Sequence, residues 1–169
     1  IWEDAPSLFE YISRTQSILQ SGNPDNDVLV YWPVHDSWTK FNGGKTLVQF
    51  AIHRLDTWLS GTPFYETAHY LLKEGYGFDY ISDRLLEKIN VENVVIKLPG
   101  GNYRSIVVPA STYMPLKTIK KLVALRELGA SVVFLGVPKS VPGFYDFKKR
   151  EKELSVFVDD KINKVYDLK

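Results

Sequence analysis

Apolar positions along this chain switch between two spacings. Over residues 4–20, Leu8, Phe9, Ile12, Ile18 and Leu19 recur at helical intervals. Asp4 stands where it can cap such a helix, and Pro6 falls in its first turn, where a missing N–H costs little. Gly22-Asn23-Pro24-Asp25-Asn26 then breaks the chain. Val28-Leu29-Val30-Tyr31 is apolar without alternation, the pattern of a strand covered on both faces in a parallel sheet. Residues 78–81, 105–109 and 131–135 predict three more core strands, and 94–96 a small extra one. Between them lie amphipathic stretches. Leu47, Phe50, Ala51, Leu55, Trp58 and Leu59 predict a helix over 46–59. Thr62-Pro63 opens another as N-cap and first-turn proline, and Gly75 stops it. Ser82-Asp83 starts a short helix carrying Leu85, Leu86 and Ile89. Residues 115–128 form a helix ended by Gly129, and 148–165 form a last one. Residues 33–44 and 137–143 read as loops.

Strands alternating with amphipathic helices predict an α/β domain with a mostly parallel sheet. Right-handed crossovers favour a doubly wound, three-layer, flavodoxin-like arrangement with core strands ordered 2-1-3-4. There is no repeat, low-complexity segment or linker, so 1–169 reads as a single α/β domain. A chain of this length buries about 70% of its unfolded surface, enough for a full core. It begins at Ile1, and its lone methionine is Met114, which predicts a fragment of a larger multidomain protein.

Composition removes several chemistries. With Cys 0 there is no disulfide, thiolate metal site or cysteine nucleophile. Lys+Arg 21 against Asp+Glu 20 leaves +1, and no basic stretch dominates, so no nucleic-acid partner is expected. The apolar runs are too short for membrane insertion. Aromatic residues reach 14%, which suits sugar stacking as well as an ordinary core.

In open parallel sheets, ligands bind outside the carboxyl ends of the strands. Those ends bring forward Trp32, His35, Asp36 and Trp38 after the first strand, Ser82 and Asp83 after the second, and Ser111 after the third. These seven are the candidate ligand or domain-contact residues. His35 has acid–base or sugar-binding chemistry, with pinning of its loop the stronger reading. Asp79 sits inside an apolar strand and needs a partner or a wet end. Convergence of Asp36, Asp79 and Asp83 would supply the paired carboxylates of a glycosidase, but capping is the better account of such residues. Gly44-Lys45-Thr46 is not a phosphate loop, because the motif requires glycine where Thr39 stands. No G-x-S-x-G elbow occurs. Glu66 with His69, and His53 with Asp56, are single helical pairs that predict no metal site. No catalytic residue and no cofactor is expected.

Three longer strings point further: 27–36 (DVLVYWPVHD), 77–83 (GFDYISD), and Ile106-Val107-Val108-Pro109 running through Tyr113-Met114-Pro115-Leu116 to Gly129-Ala130. With Tyr11-Ile12-Ser13-Arg14-Thr15-Gln16-Ser17, they resemble a segment of large bacterial α-L-rhamnosidase-type glycoside hydrolases. In that family the resemblance implies catalytic carboxylates on a separate TIM barrel. The present segment resembles the class I glutamine amidotransferase-like domain that follows it. Amidotransferase chemistry needs a cysteine after the third core strand, and this chain has none. The resemblance therefore implies a non-catalytic, extracytoplasmic accessory domain that buttresses or lines the active site of the barrel. Its partners would be other domains of the parent and carbohydrate, with oligomerisation left open. The alternatives are a carbohydrate-binding module built on the loop after the first strand and, ranked last, a stand-alone hydrolase.

Overall fold

The computed structural model describes residues 2–22, 24–39, 53–162 and 164–167. In chain order its elements are α1 (Ala5–Gln20), β1 (Val28–Tyr31), α2 (Val34–Thr39), a 3-10 turn (Leu55–Thr57), α3 (Pro63–Lys73), β2 (Phe78–Ile81), α4 (Asp83–Leu86), β3 (Asn90–Glu92), β4 (Val95–Leu98), β5 (Gly101–Tyr103), β6 (Ser105–Val108), α5 (Leu116–Glu127), β7 (Ser131–Phe134) and α6 (Phe147–Lys161).

Four of the strands make a parallel sheet in the order β2-β1-β6-β7. Counting core strands alone, this is the expected 2-1-3-4. Val28 pairs with Phe78 on one side and Ser105 on the other, so β1 is central and all four of its residues are buried. Alternation then sorts its side chains to two apolar faces. Leu29 and Tyr31 join Ile106, Val108 and Phe134 in a core with Ile119, Leu122 and Leu125 of α5 and Leu154 and Val158 of α6. Val28 and Val30 pack instead with Val107 and Leu71, with Phe64 of α3 against them. Burying both faces is why these runs lack a polar position.

Several expectations are corrected. Residues 34–39 form the short helix α2 two residues after β1, not part of a long loop. The 46–59 helix is absent over its described part. There the carbonyl of Leu55 accepts the N–H groups of Trp58, Leu59 and Ser60, which closes a turn. Gly61, at φ +74°, then redirects the chain into α3. Residues 46–52 lie outside the described residues. Trp58 is half-buried and does not belong to the core. The small extra strand is the middle of a three-stranded antiparallel sheet, β3-β4-β5. Asn93 and Val94 turn its first hairpin at φ 51° and 63°. Left-handed backbone is rare for a β-branched residue, so the turn carried no Asn-Gly signal. The last helix ends at Lys161 rather than 165.

Of the two predicted N-caps, Asp4 makes no side-chain hydrogen bond to α1, whereas Thr62 does cap α3. The Thr62 hydroxyl oxygen accepts the Tyr65 N–H at 3.2 Å. α1 spans the predicted stripe, but it contains no buried residue.

Candidate functional site

The sheet order reverses direction between β1 and β6: the chain leaves β1 for β2 on one side and returns to β6 on the other. At such a switch point the following loops diverge and leave a crevice. Here the crevice receives Trp32, Pro33 and α2 from β1, and Pro109 to Tyr113 from β6. The sequence candidates gather at this edge as two neighbouring groups.

One group centres on Asp83, at the start of α4. Its Oδ1 accepts the Tyr31 hydroxyl at 2.8 Å and the Thr118 hydroxyl at 2.6 Å. Its Oδ2 lies 3.3 Å from Nε2 of His35. A single carboxylate thereby joins β1, α2, α4 and α5. Burial opposes its ionisation, but hydrogen bonds from His35, Thr118 and Tyr31 outweigh that effect and hold the carboxyl below its ordinary value. Burial, followed by the charge of Asp83, pushes the Tyr31 phenol up. The His35 ring stands edge-on to Trp38, with ring centres 5.3 Å apart. Trp38 is itself exposed. His35 thus brings α2 against Asp83 at the start of α4.

The second group centres on Asp36. Its two oxygens accept the backbone N–H groups of Thr112, at 2.8 Å, and Tyr113, at 2.7 Å. The Thr112 carbonyl in turn accepts the N–H groups of Lys139 and Ser140 from the loop after β7. Helix α2 and the loops after β6 and β7 are thereby tied across the sheet edge. Beside them opens a cavity of about 590 Å³, with Trp32, Pro33, Asp36, Phe64, Ser111 and Lys139 among the residues in its wall. Gly136 makes its floor possible: a Cβ there would lie 2.6 Å from the Ala110 Cβ. The Ser111 hydroxyl is buried and has no hydrogen-bond partner among the described residues.

Asp79 does not join either carboxylate. It bonds to Asn26 at 3.1 Å and to Tyr103 at 2.9 Å, residues that precede β1 and β6, so it lies toward the amino ends of the strands. Burial and the Asp79 contact push the Tyr103 phenol up to about 12. The expected partner for this in-strand carboxylate is therefore present, and a three-aspartate cluster is excluded. Ser82 makes no side-chain cap, and its carbonyl accepts the N–H groups of Leu85 and Leu86. Sequence reasoning missed Tyr31, Thr118, Phe64 and Lys139. A tyrosine closing a buried strand and a threonine on the inward face of α5 both needed polar partners, which was the available signal. Among the described residues, no three histidine, aspartate or glutamate side chains gather to hold a metal ion. None of the described helices is long and apolar enough to cross a membrane.

Fold and site together define an α/β domain with an open parallel sheet and a ligand-sized cavity at its switch point. The chain belongs to the α-L-rhamnosidase family of glycoside hydrolases, family 106, which it matches over residues 1–166. It is also similar to a Formosa agariphila protein named "Putative beta-glucuronidase", at 26% identity over 163 residues. That match covers 94% of this chain but 11% of the relative, so the chain spans about a tenth of that protein's length. No solved structure matches it.

Proposed function

We propose that this chain is a non-catalytic accessory domain of a glycan-degrading enzyme, buttressing or lining the active site of a separate catalytic barrel. The observation that carries this reading is the commitment of the edge carboxylates. Asp36 staples two backbone N–H groups, and Asp83 accepts Tyr31 and Thr118 and faces His35. A glycosidase needs one carboxyl free to donate a proton and a second free to act as base or nucleophile. Side chains tied into their own fold suit a scaffold better.

Helix α1 supports the same reading. Leu8, Phe9, Ile18 and Leu19 are all exposed on it. A 16-residue helix without a packed face is marginal in water, so this face suits contact with another domain of the parent. A three-layer, amidotransferase-like architecture belongs to the proposal. It is supported by the strand order and by Ser111, which follows the third core strand where an amidotransferase has its cysteine. An extracytoplasmic setting follows from the glycan substrate class of the family.

The test is kinetic and uses the parent enzyme carrying Asp83→Asn. Turnover of an aryl α-L-rhamnoside per folded molecule should stay within about threefold of the unaltered enzyme, while the melting temperature falls. A loss of about a hundredfold or more in a folded variant, the scale of a removed acid–base group, would contradict the proposal.

A further inference from the structure

We infer that the cavity at the switch point is a binding site for one neutral pyranose ring of a glycan. This deepens the accessory reading and rests on it for the class of ligand. The position is the one where open parallel sheets hold ligands. The volume, about 590 Å³, falls within the range of small-molecule sites and exceeds what one sugar ring needs.

The wall has the mixed character a sugar demands. Trp32 and Phe64 contribute aromatic surface, which suits the apolar C–H face of a pyranose. Ser111 contributes a hydroxyl. It is 9% exposed, and its oxygen has no partner among the described residues. A buried hydroxyl without a partner costs about 1–3 kcal/mol, and one at the wall of a cavity is relieved by a hydroxylated ligand. Asp36 keeps acceptor capacity after receiving two N–H groups, because an ionised carboxylate offers about four lone-pair sites.

The same geometry disfavours a phosphate or other anion. The Thr112 N–H in the wall and the adjacent Tyr113 N–H already bind Asp36 and are not open to an anion. The Tyr65 N–H at the start of α3 is taken by the Thr62 side chain. Among the described residues of the wall, Lys139 is the one cation, and the Asp36 carboxylate lines the same cavity. The donor and charge pattern therefore fits an uncharged polyol.

The experiment titrates the 169-residue chain with L-rhamnose and, separately, with inorganic phosphate, following tryptophan fluorescence and calorimetric heat. Saturable binding of L-rhamnose in the millimolar range, with none of phosphate, is expected. Thr112→Arg places a bulky side chain in the wall while keeping the backbone bond to Asp36, and should abolish binding. Ser111→Ala should weaken it about fivefold, the scale of one hydrogen bond. Thermal melting provides the control for folding: Ser111→Ala removes an unpartnered hydroxyl and should not lower the midpoint. No response to millimolar L-rhamnose, phosphate binding as tight as sugar binding, or unchanged affinity in both folded variants would overturn the assignment. Failure here leaves the accessory reading intact, because that reading depends on turnover by the Asp83 variant of the parent, a residue outside the cavity wall.

Discussion

The carboxylate of Asp36 accepts the backbone N–H of Tyr113 at 2.7 Å, joining the helix after β1 to the loop after β6. Its second oxygen holds Thr112. Helix α2 and the loop after β6, which border the switch-point crevice, are therefore joined by one side chain. Asp36→Ala would leave both N–H groups without this acceptor. Thr112 is exposed and water can replace its bond, whereas the Tyr113 bond is partly buried. The expected loss is about 1–3 kcal/mol in urea-induced unfolding. Asp36→Asn, which keeps one acceptor oxygen, should lose less.

Asp83 gives the domain a defined acid response. Its carboxyl is held below the ordinary value when folded, so the folded state binds its proton less readily than the unfolded chain. The resulting stabilisation is complete above the unfolded value, about 4, and disappears as pH falls through the depressed folded value. Thermal midpoints measured downward from about pH 5 should fall for the unaltered chain. Asp83→Asn should start lower at neutral pH and fall less steeply, because the amide does not titrate. Parallel curves would show that Asp83 carries none of the response.

Gly136 is held by space rather than by backbone angle. Any Cβ at this position meets the Ala110 Cβ at 2.6 Å and its Cα at 2.9 Å. Both are rigid atoms of the segment after β6, so Gly136→Ala forces the ends of β6 and β7 apart. Overpacking of this kind costs about 1–3 kcal/mol. The loss should appear in chemical unfolding, and Gly100→Ala serves as a control, since a Cβ there meets nothing within 4 Å.

The sheet was legible because its strands are buried on both faces. Val28 to Tyr31 and Ile106 to Val108 carry no polar interruption, and the observed order of the core strands is one that right-handed crossovers favour. The antiparallel β3-β4-β5 sheet was harder to read. Its strands are short and partly exposed, and Val94 turns the first hairpin without glycine. The 53–59 stretch shows helical periodicity, yet its described carbonyls close a tight turn, so local hydrogen bonding prevailed over pattern. At the site, chain order placed His35, Asp36, Asp83 and Ser111 at one sheet edge. Their separation into a pinned network and a cavity wall was not legible. That separation depends on Tyr31 and Thr118, which are 87 residues apart and meet only at Asp83. Chain order likewise could not show that Asp79 points its chemistry toward the opposite end of the same strands.

The most direct test of the central claim is turnover by this chain alone. Incubated at micromolar concentration with aryl α-L-rhamnoside and aryl β-glucuronide, it should release aryl alcohol no faster than buffer. Turnover above buffer that disappears in Asp83→Asn or His35→Ala would contradict the account, because the residues assigned here to holding the fold would then be performing the chemistry.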